Sequence, residues 1–231
     1  MKNHLAKRKV IEISYKNKLS HLGSVLFALD VIYDIYIRKN EDDKVILSAG
    51  HCGLALYVAL EDFENYDAEK ILKSGGIHPD ALTMPVDCSS GSLGHGLGIA
   101  VGMAIAEPEK TIYVISSDGE LAEGSMWEAL EVIRNQGITN IQLHVLCNGT
   151  SGYKFVSTEH LKNRLKIYNE VADLNKDITG FITKKHEFIT IHELDVSKDF
   201  PFLTGIDAHY HTMSEKDYDL AMEITNLYEN Q

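Results

Sequence analysis

The stretch TIYVISSDGELAEGSMWEAL, residues 111–130, decides the fold class of this chain. Its first five residues form an apolar, partly β-branched run that predicts a buried strand. SSDGELAEGS, residues 116–125, then sets Asp118, Glu120 and Glu123 among small residues. The periodicity over residues 125–134 predicts a helix. A strand followed at once by a helix is typical of an α/β protein, and here acidic side chains lie where the strand ends.

The alternation of strands and helices extends along the chain in both directions. Apolar spacing predicts helices over residues 24–38, 54–60, 92–107 and 214–228, and apolar runs predict strands over residues 44–48, 141–148 and 187–194. Residues 154–185 are polar and predict no element. We expect an α/β fold with a mostly parallel sheet and helices on both faces, formed by residues 1–231 as a single domain.

Composition excludes several classes of function. The 231 residues are 44% hydrophobic, which is enough for a core, and the net charge of −12 argues against nucleic-acid or anionic-membrane partners. The apolar stretches are shorter than a membrane span, and the basic start leads into no signal peptide. Cys52, Cys88 and Cys147 show no CxxC spacing and predict reduced thiols. We therefore expect a cytoplasmic protein.

Asp118 and Asn148 each follow a predicted strand and are 30 positions apart, the length of one crossover. Ligands of parallel sheets bind beyond the carboxyl ends of the strands, so both side chains can reach one crevice. A carboxylate and an amide oxygen suit Mg²⁺ if a diphosphate and water complete the ligand set. Gly119 and the helix start near Gly124 would approach such an anion. A plain Asp-Gly turn is the alternative.

The segment SDGELAEGSMWEAL, followed thirty residues later by CNGT, resembles the thiamine-diphosphate motif of transketolases. The usual pattern there is Gly-Asp-Gly, closing with Asn. The likeness continues through SHLGS, LSAGHCGLALY, GGIHPD and GSLGHGLGIAVGMAIA, in the order of the transketolase N-terminal domain, over residues 5–153. The resemblance implies the thiamine-diphosphate-binding fold of the diphosphate-binding type.

The resemblance also implies roles for individual residues. Mg²⁺ would be bound by Asp118, Asn148 and the carbonyl of Thr150. His21 and His78 would line the substrate channel near the reactive carbon, where imidazoles relay protons and hold sugar hydroxyls. The cofactor would be contacted by His51, Gly91, Leu93 and His209 and by the backbone of Gly119. His209 would also face the substrate. Glu123, grouped with them, matches an acidic residue that links paired active sites at a subunit interface.

The chain departs from the family pattern at several points. Ser117 replaces the first Gly of the motif, and the segment between Asn148 and His209 is short and diverged, above all residues 154–208. His95 stands where transketolases often have Gln, and we expect it beside the cofactor. His144 lies inside a predicted strand, so we expect it in the core.

The resemblance implies a transketolase, a transferase that moves a two-carbon ketol unit from a ketose donor to an aldehyde acceptor with thiamine diphosphate and Mg²⁺. Complete transketolases are more than twice this length and carry a second domain with the glutamate that protonates the aminopyrimidine. We therefore expect the N-terminal subunit of a split enzyme. A separate pyrimidine-binding subunit would complete a heterotetramer with two copies of each chain, acting on sugars or sugar phosphates.

Other interpretations stay open at this point. The enzyme could act on an unusual sugar, for example a nucleotide-linked one. The chain could instead be a subunit of a split 2-oxo acid dehydrogenase or decarboxylase, which share this half-site. A cofactor-sensing regulatory subunit is the non-enzymatic interpretation. A metal-dependent hydrolase is disfavoured, because HYH at residues 209–211 is the only spacing of that kind and no acidic partner accompanies it.

Overall fold

A parallel sheet of four strands organises the chain, described here from a computed structural model that covers residues 3–151, 154–169 and 187–228. Its strands, in spatial order, are β1 (Lys44–Leu47), β2 (Ile112–Ser117), β3 (Ile141–Cys147) and β6 (Ile189–Glu193), and all neighbours pair in parallel. Two antiparallel strands of two residues each follow β3, namely β4 (Thr150–Ser151) and β5 (Lys154–Phe155). The carboxyl ends of the four long strands therefore meet at one edge of the sheet.

Helices cover both faces of this sheet. The helices are α1 (Asn3–Lys16), α2 (Leu22–Arg38), α3 (Gly53–Glu64), α4 (Ala68–Gly75), α5 (Gly96–Ala106), α6 (Gly124–Gln136), α7 (Thr158–Leu165) and α8 (Glu215–Tyr228). One core packs α5 and α6 against the alternate strand side chains Ile46, Val114 and Val145. The other packs α1, α2 and α3 against Leu47 and Ile115. The predicted α/β class, with helices on both faces, is confirmed.

The predicted helix over residues 92–107 begins only at Gly96. The chain before it turns through Gly91 and Gly94, whose φ angles of 126° and 78° are left-handed conformations that no helix contains. The first residue of the helix packs closely, because a Cβ on Gly96 would lie 2.5 Å from the side chain of Ser48. Small residues here therefore bring α5 directly against the end of β1.

Three helices were not predicted from the apolar pattern, namely α1, α4 and α7. Two of them are short and begin at side-chain caps, where Asp67 accepts a hydrogen bond from the Lys70 N–H and Ser157 accepts one from the His160 N–H. Helix α7 lies in the segment predicted to be without structure. The rest of that segment from residue 170 onward lies outside the described residues.

His144 is buried, as predicted for a core position, and the three cysteines are buried as well. Nδ1 of His144 lies 2.9 Å from Nε2 of His192 on the neighbouring strand. Cys52, Cys88 and Cys147 are free thiols. Within the described ranges, no helix combines the length and the apolar character needed to cross a membrane.

Candidate active site

A cavity of about 300 Å³ opens where β1, β2 and β3 end. All the residues predicted for the site except His95 line it: His21, His51, His78, Gly91, Leu93, Asp118, Gly119, Glu123, Asn148, Thr150 and His209. They come from segments far apart in sequence, so the parallel topology is what brings them together. The sequence reasoning missed other lining residues, which are Ser24, Gly50, Ser151 and Tyr210.

Asp118 is a buried carboxylate at the end of β2, with 3% of its surface exposed. Oδ1 accepts a hydrogen bond from the Gly119 N–H and Oδ2 accepts one from the Gly149 N–H, both at 2.9 Å. Burial raises the pKa of Asp118 to about 6, and the N–H donors act in the opposite direction. Because these donors are uncharged, their hydrogen bonds do not neutralise the negative charge of Asp118.

Asn148 shapes the turn after β3. Its Oδ1 accepts hydrogen bonds from both the N–H and the hydroxyl of Thr150, each at 2.9 Å. Gly149 between them has a φ of 78°, which favours glycine. This turn places an amide oxygen and the Thr150 residue on the same cavity wall as Asp118.

The donor set of this wall fits Mg²⁺. A carboxylate, an amide oxygen and a backbone carbonyl are hard oxygen ligands, which Mg²⁺ prefers. No group of three or more His, Cys, Asp or Glu side chains in the described part of the chain could hold a metal ion. A Mg²⁺ ion at this wall would therefore need further oxygens from a diphosphate and from water.

Three imidazoles form a cluster in the lining of the cavity. The ring centroid of His21 lies 4.5 Å from that of His209 and 5.1 Å from that of His51. Burial, together with the neighbouring imidazoles, lowers the pKa of His21 to about 4 and that of His51 to about 3. Burial also lowers the pKa of His209. The cluster is therefore uncharged at neutral pH, and each ring can donate one hydrogen bond and accept another.

His21 is held by its backbone as well as by its ring. Its φ is 63°, a left-handed conformation, and it stands directly before α2. The His21 N–H donates to the carbonyl of His209 at 3.2 Å, and the Ser20 hydroxyl oxygen lies 2.7 Å from Nδ1 of His21. Ser20 was not predicted as a site residue, because its role depends on a side-chain contact that spacing does not reveal.

His78 packs against the turn that precedes α5. A Cβ on Gly91 would lie 3.0 Å from the imidazole carbons of His78, tighter than an ordinary contact. Gly91 therefore leaves the space that the His78 ring occupies at the cavity wall. His95 does not line the cavity, and its Nε2 lies 3.5 Å from the Ser92 hydroxyl, so its predicted place beside the cofactor receives no support from this geometry.

The backbone around Asp118 has room for a side chain at the glycine that follows it. A Cβ on Gly119 would meet the Ser151 side chain at 3.5 Å, an ordinary contact. Ser117, in place of the usual Gly, lines the cavity and donates its backbone N–H to Glu120. Helix α6 begins at Gly124 as predicted, and a short 3-10 turn over Glu120–Ala122 separates it from Gly119.

The fold and the site define the class of α/β proteins that bind thiamine diphosphate at the carboxyl edge of a parallel sheet. Residues 19–170 match the family described as "Transketolase, thiamine diphosphate binding domain". The chain belongs to this family of transketolase-type transferases. The family expected from the sequence motifs is thus confirmed.

Individual relatives give the extent of the similarity. The chain is 27% identical over 240 residues to an apulose-4-phosphate transketolase subunit of Phocaeicola vulgatus, covering 89% of this chain and 85% of that protein. It is 33% identical over 148 residues to the 6-deoxy-6-sulfo-D-fructose transketolase subunit SqwG of Clostridium sp., covering 54% of each.

A solved structure shares the fold. The transketolase of Campylobacter jejuni superposes with a TM-score of 0.76 at 20% identity, over 97% of this chain and 42% of that chain. This likeness shows that the chain has the fold of a transketolase domain, the thiamine-diphosphate-binding fold that the motifs implied. The chain spans less than half the length of that transketolase.

Proposed function

We propose that this chain is the diphosphate-binding, N-terminal subunit of a two-chain transketolase. The assembled enzyme transfers a two-carbon ketol unit from a ketose donor to an aldehyde acceptor with thiamine diphosphate and Mg²⁺. One observation carries the proposal: the oxygen donors of Asp118, Asn148 and Thr150 share a single cavity with the His21 and His78 imidazoles. We treat residues 1–231 as one cofactor-binding domain and propose that the enzyme is cytoplasmic.

Each wall of the cavity has its own task in this proposal. Asp118, Asn148 and the carbonyl of Thr150 hold Mg²⁺, which in turn neutralises a diphosphate. The Gly119 backbone and His51 hold the diphosphate oxygens. Gly91 and Leu93 flank the cofactor. Thiamine diphosphate, when bound, supplies the chemistry of breaking and forming carbon–carbon bonds beside a carbonyl group.

The histidines act on the substrate. His21, His78 and His209 line the cavity, and we assign them to the sugar hydroxyls. An uncharged imidazole can take a proton at one nitrogen and release one from the other. The lowered pKa of His21 keeps this ring in its base form at neutral pH. These residues therefore orient the sugar and relay protons during ketol transfer.

A partner chain completes the site in this proposal. The relative from Phocaeicola vulgatus is named as one subunit of a transketolase, and this chain spans 85% of it. Helix α5 also exposes an apolar face, with Ile99 40% exposed and Ile105 60% exposed. Added Cβ atoms on Gly98 and Gly102 would meet nothing within 4 Å. An open apolar helix face of this kind fits a protein interface, and we assign it to a pyrimidine-binding subunit, two copies of each chain forming the enzyme.

Substrate choice is the finer part of the proposal. Both named relatives act, by their names, on sugars that carry a strongly acidic group, a phosphate or a sulfo group. No Lys or Arg is among the described residues that line this cavity, so we assign the neutralisation of such a group to the partner subunit. We propose a sugar or sugar phosphate as substrate, and a specialised sugar rather than a common pentose phosphate as the second candidate.

The test is purification of a tagged chain from its native cells in buffer with thiamine diphosphate and Mg²⁺. We expect a stoichiometric partner related to the pyrimidine-binding part of transketolases, identified by mass spectrometry, and ketol transfer by the complex with a panel of ketose donors. A partner typical of 2-oxo acid dehydrogenases or decarboxylases would replace the transketolase proposal. A complex that binds the cofactor and transfers no ketol unit would favour a sensor.

A further inference from the structure

Glu120 is a buried carboxylate that lies behind the cavity rather than in its wall. None of its surface is exposed, and it is absent from the cavity lining. Burial raises the pKa of Glu120, the charge of Glu123 acts in the same direction, and three hydrogen bonds oppose them. A buried charge is costly, so its partners decide what it does for the structure.

Those partners are three donors from three separate segments. Oε1 accepts hydrogen bonds from the Ser48 hydroxyl at 2.7 Å and from the Gly94 N–H at 2.9 Å. Oε2 accepts one from the Ser117 N–H at 3.2 Å. Ser48 follows β1, Gly94 belongs to the turn before α5, and Ser117 ends β2. One side chain thus ties two strand ends and a turn together.

Each tied segment supplies residues to the cavity. Gly50 and His51 follow Ser48, Gly91 and Leu93 precede Gly94, and Asp118 follows Ser117. The first two segments are in close contact, because a Cβ on Gly50 would lie 2.7 Å from the Gly91 backbone nitrogen. The Glu120 carboxylate therefore joins the segment that carries Asp118 to the segments that carry His51 and Leu93.

We propose that Glu120 is a positioning residue for thiamine diphosphate binding, acting through Ser48, Gly94 and Ser117. This inference rests on the proposed function. All three partners donate, so the arrangement uses both carboxyl oxygens of Glu120 as acceptors. A glutamine keeps the size of the side chain, but its NH₂ group would face an N–H donor at one of the three positions.

The test uses Glu120→Gln in the complex purified through this chain, with Glu109→Gln as the matched control. Glu109 is an exposed glutamate that precedes the first residue of β2, at the end of the strand away from the cavity. Calorimetric titration with thiamine diphosphate and Mg²⁺ should show a Kd about ten-fold higher for Glu120→Gln, the scale of losing a residue that orients ligands. Glu109→Gln should bind like the unmodified complex.

A second readout needs no cofactor. Amide hydrogen exchange in the cofactor-free complex should quicken at Gly94 and Ser117 in Glu120→Gln, because each amide depends on this acceptor, while the amides of β3 keep their protection. An unchanged Kd would overturn the inference. So would exchange that quickens throughout the sheet, since Glu120 would then support the fold as a whole.

Ser48→Ala provides a milder variant that removes one donor and leaves the carboxylate in place. We expect it to weaken cofactor binding less than Glu120→Gln, and the double variant to bind no more weakly than Glu120→Gln alone, because both changes break one cluster. Additive losses of affinity would show that Ser48 and Glu120 act independently, and would contradict the inference.

If the unmodified complex binds no thiamine diphosphate, the proposed function fails and this inference fails with it. If the unmodified complex binds the cofactor and the variants bind it equally well, the inference alone fails.

Discussion

The hydroxyl oxygen of Ser20 lies 2.7 Å from Nδ1 of His21, so Nε2 is the imidazole nitrogen left for the cavity. The hydrogen bond at one ring nitrogen sets which form of the imidazole meets a ligand at the other. Ser20 thus orients a proposed proton relay without lining the cavity itself.

Ser20→Ala should lower kcat about ten-fold and change KM for the sugar little, because the ring loses its orienting partner and keeps its place. Steady-state kinetics of the assembled enzyme measure both constants. Ser20→Thr keeps a hydroxyl at this position and should recover most of the activity. Equal kcat values for the Ala variant and the unmodified enzyme would show that the contact has no role in turnover.

His21 should make the chain sensitive to acid. Its pKa is lowered to about 4 in the fold, below the ordinary 6.5, so its contribution to stability is complete above pH 6.5 and is lost as the pH falls toward 4. Urea unfolding at stepped pH should show His21→Asn losing less stability than the unmodified chain over this range, by about 2 kcal/mol after allowance for partial exposure. His160→Asn, at an exposed position on α7, should follow the unmodified curve. Parallel curves for His21→Asn would contradict the assignment.

Asp118→Asn should abolish Mg²⁺-dependent cofactor binding. The amide keeps the size of the side chain, but it removes the charge that balances the cation and one of the two accepting oxygens. Calorimetry with and without Mg²⁺ should show affinity for thiamine diphosphate reduced at least about 100-fold, at the upper end of losses for metal-site residues. Asp42→Asn, an exposed aspartate near the opposite end of β1, serves as control. Wild-type affinity in Asp118→Asn would remove the metal assignment.

His78→Ala should slow ketol transfer more than it weakens cofactor binding. We expect kcat to fall about 100-fold, as is common on loss of a group that transfers protons, while Kd for the cofactor stays within about three-fold. His95→Ala is the matched histidine control, since His95 lies outside the cavity lining. Equal losses in both constants would mean that His78 has a structural role.

Ile105→Glu should release the partner subunit, because a charge placed on the open face of α5 must be desolvated when the interface forms. Ile37→Glu places the same charge at a similarly exposed position, 66% against 60%, at the far end of α2. Co-purification and size-exclusion chromatography should show partner loss for the first variant and an intact complex for the second. If both variants retain the partner, the interface does not involve α5.

The sequence predicted the strand ends of the site well. TIYVI and IQLHVLCN predict buried strands. Because these strands pair in parallel, Asp118 and Asn148 lie at the same edge of the sheet. The start of α5 was not predictable in the same way, because the left-handed turn at Gly91 and Gly94 is shaped by contacts with His78 and Glu123. The spacing of apolar residues along the sequence does not predict such contacts.

Supporting residues were harder still to find. Ser48 and Glu120 are 72 positions apart, and nothing in the local pattern of either pairs a hydroxyl with a carboxylate. Ser20 is adjacent to His21 in sequence, yet its hydroxyl could have turned to solvent. The family motifs identified residues that line the cavity, whereas the residues behind them become visible only when the fold is assembled.

The left-handed backbone of His21 has a consequence for any attempt to engineer this protein for heat resistance. A non-glycine residue at φ 63° costs about 1 kcal/mol, which glycine would recover, and replacement would also remove a half-buried ring that resists protonation. A screen that rewards thermal survival alone would therefore enrich His21→Gly. Libraries built on this scaffold should keep position 21 fixed, or be sorted for turnover as well as for melting temperature.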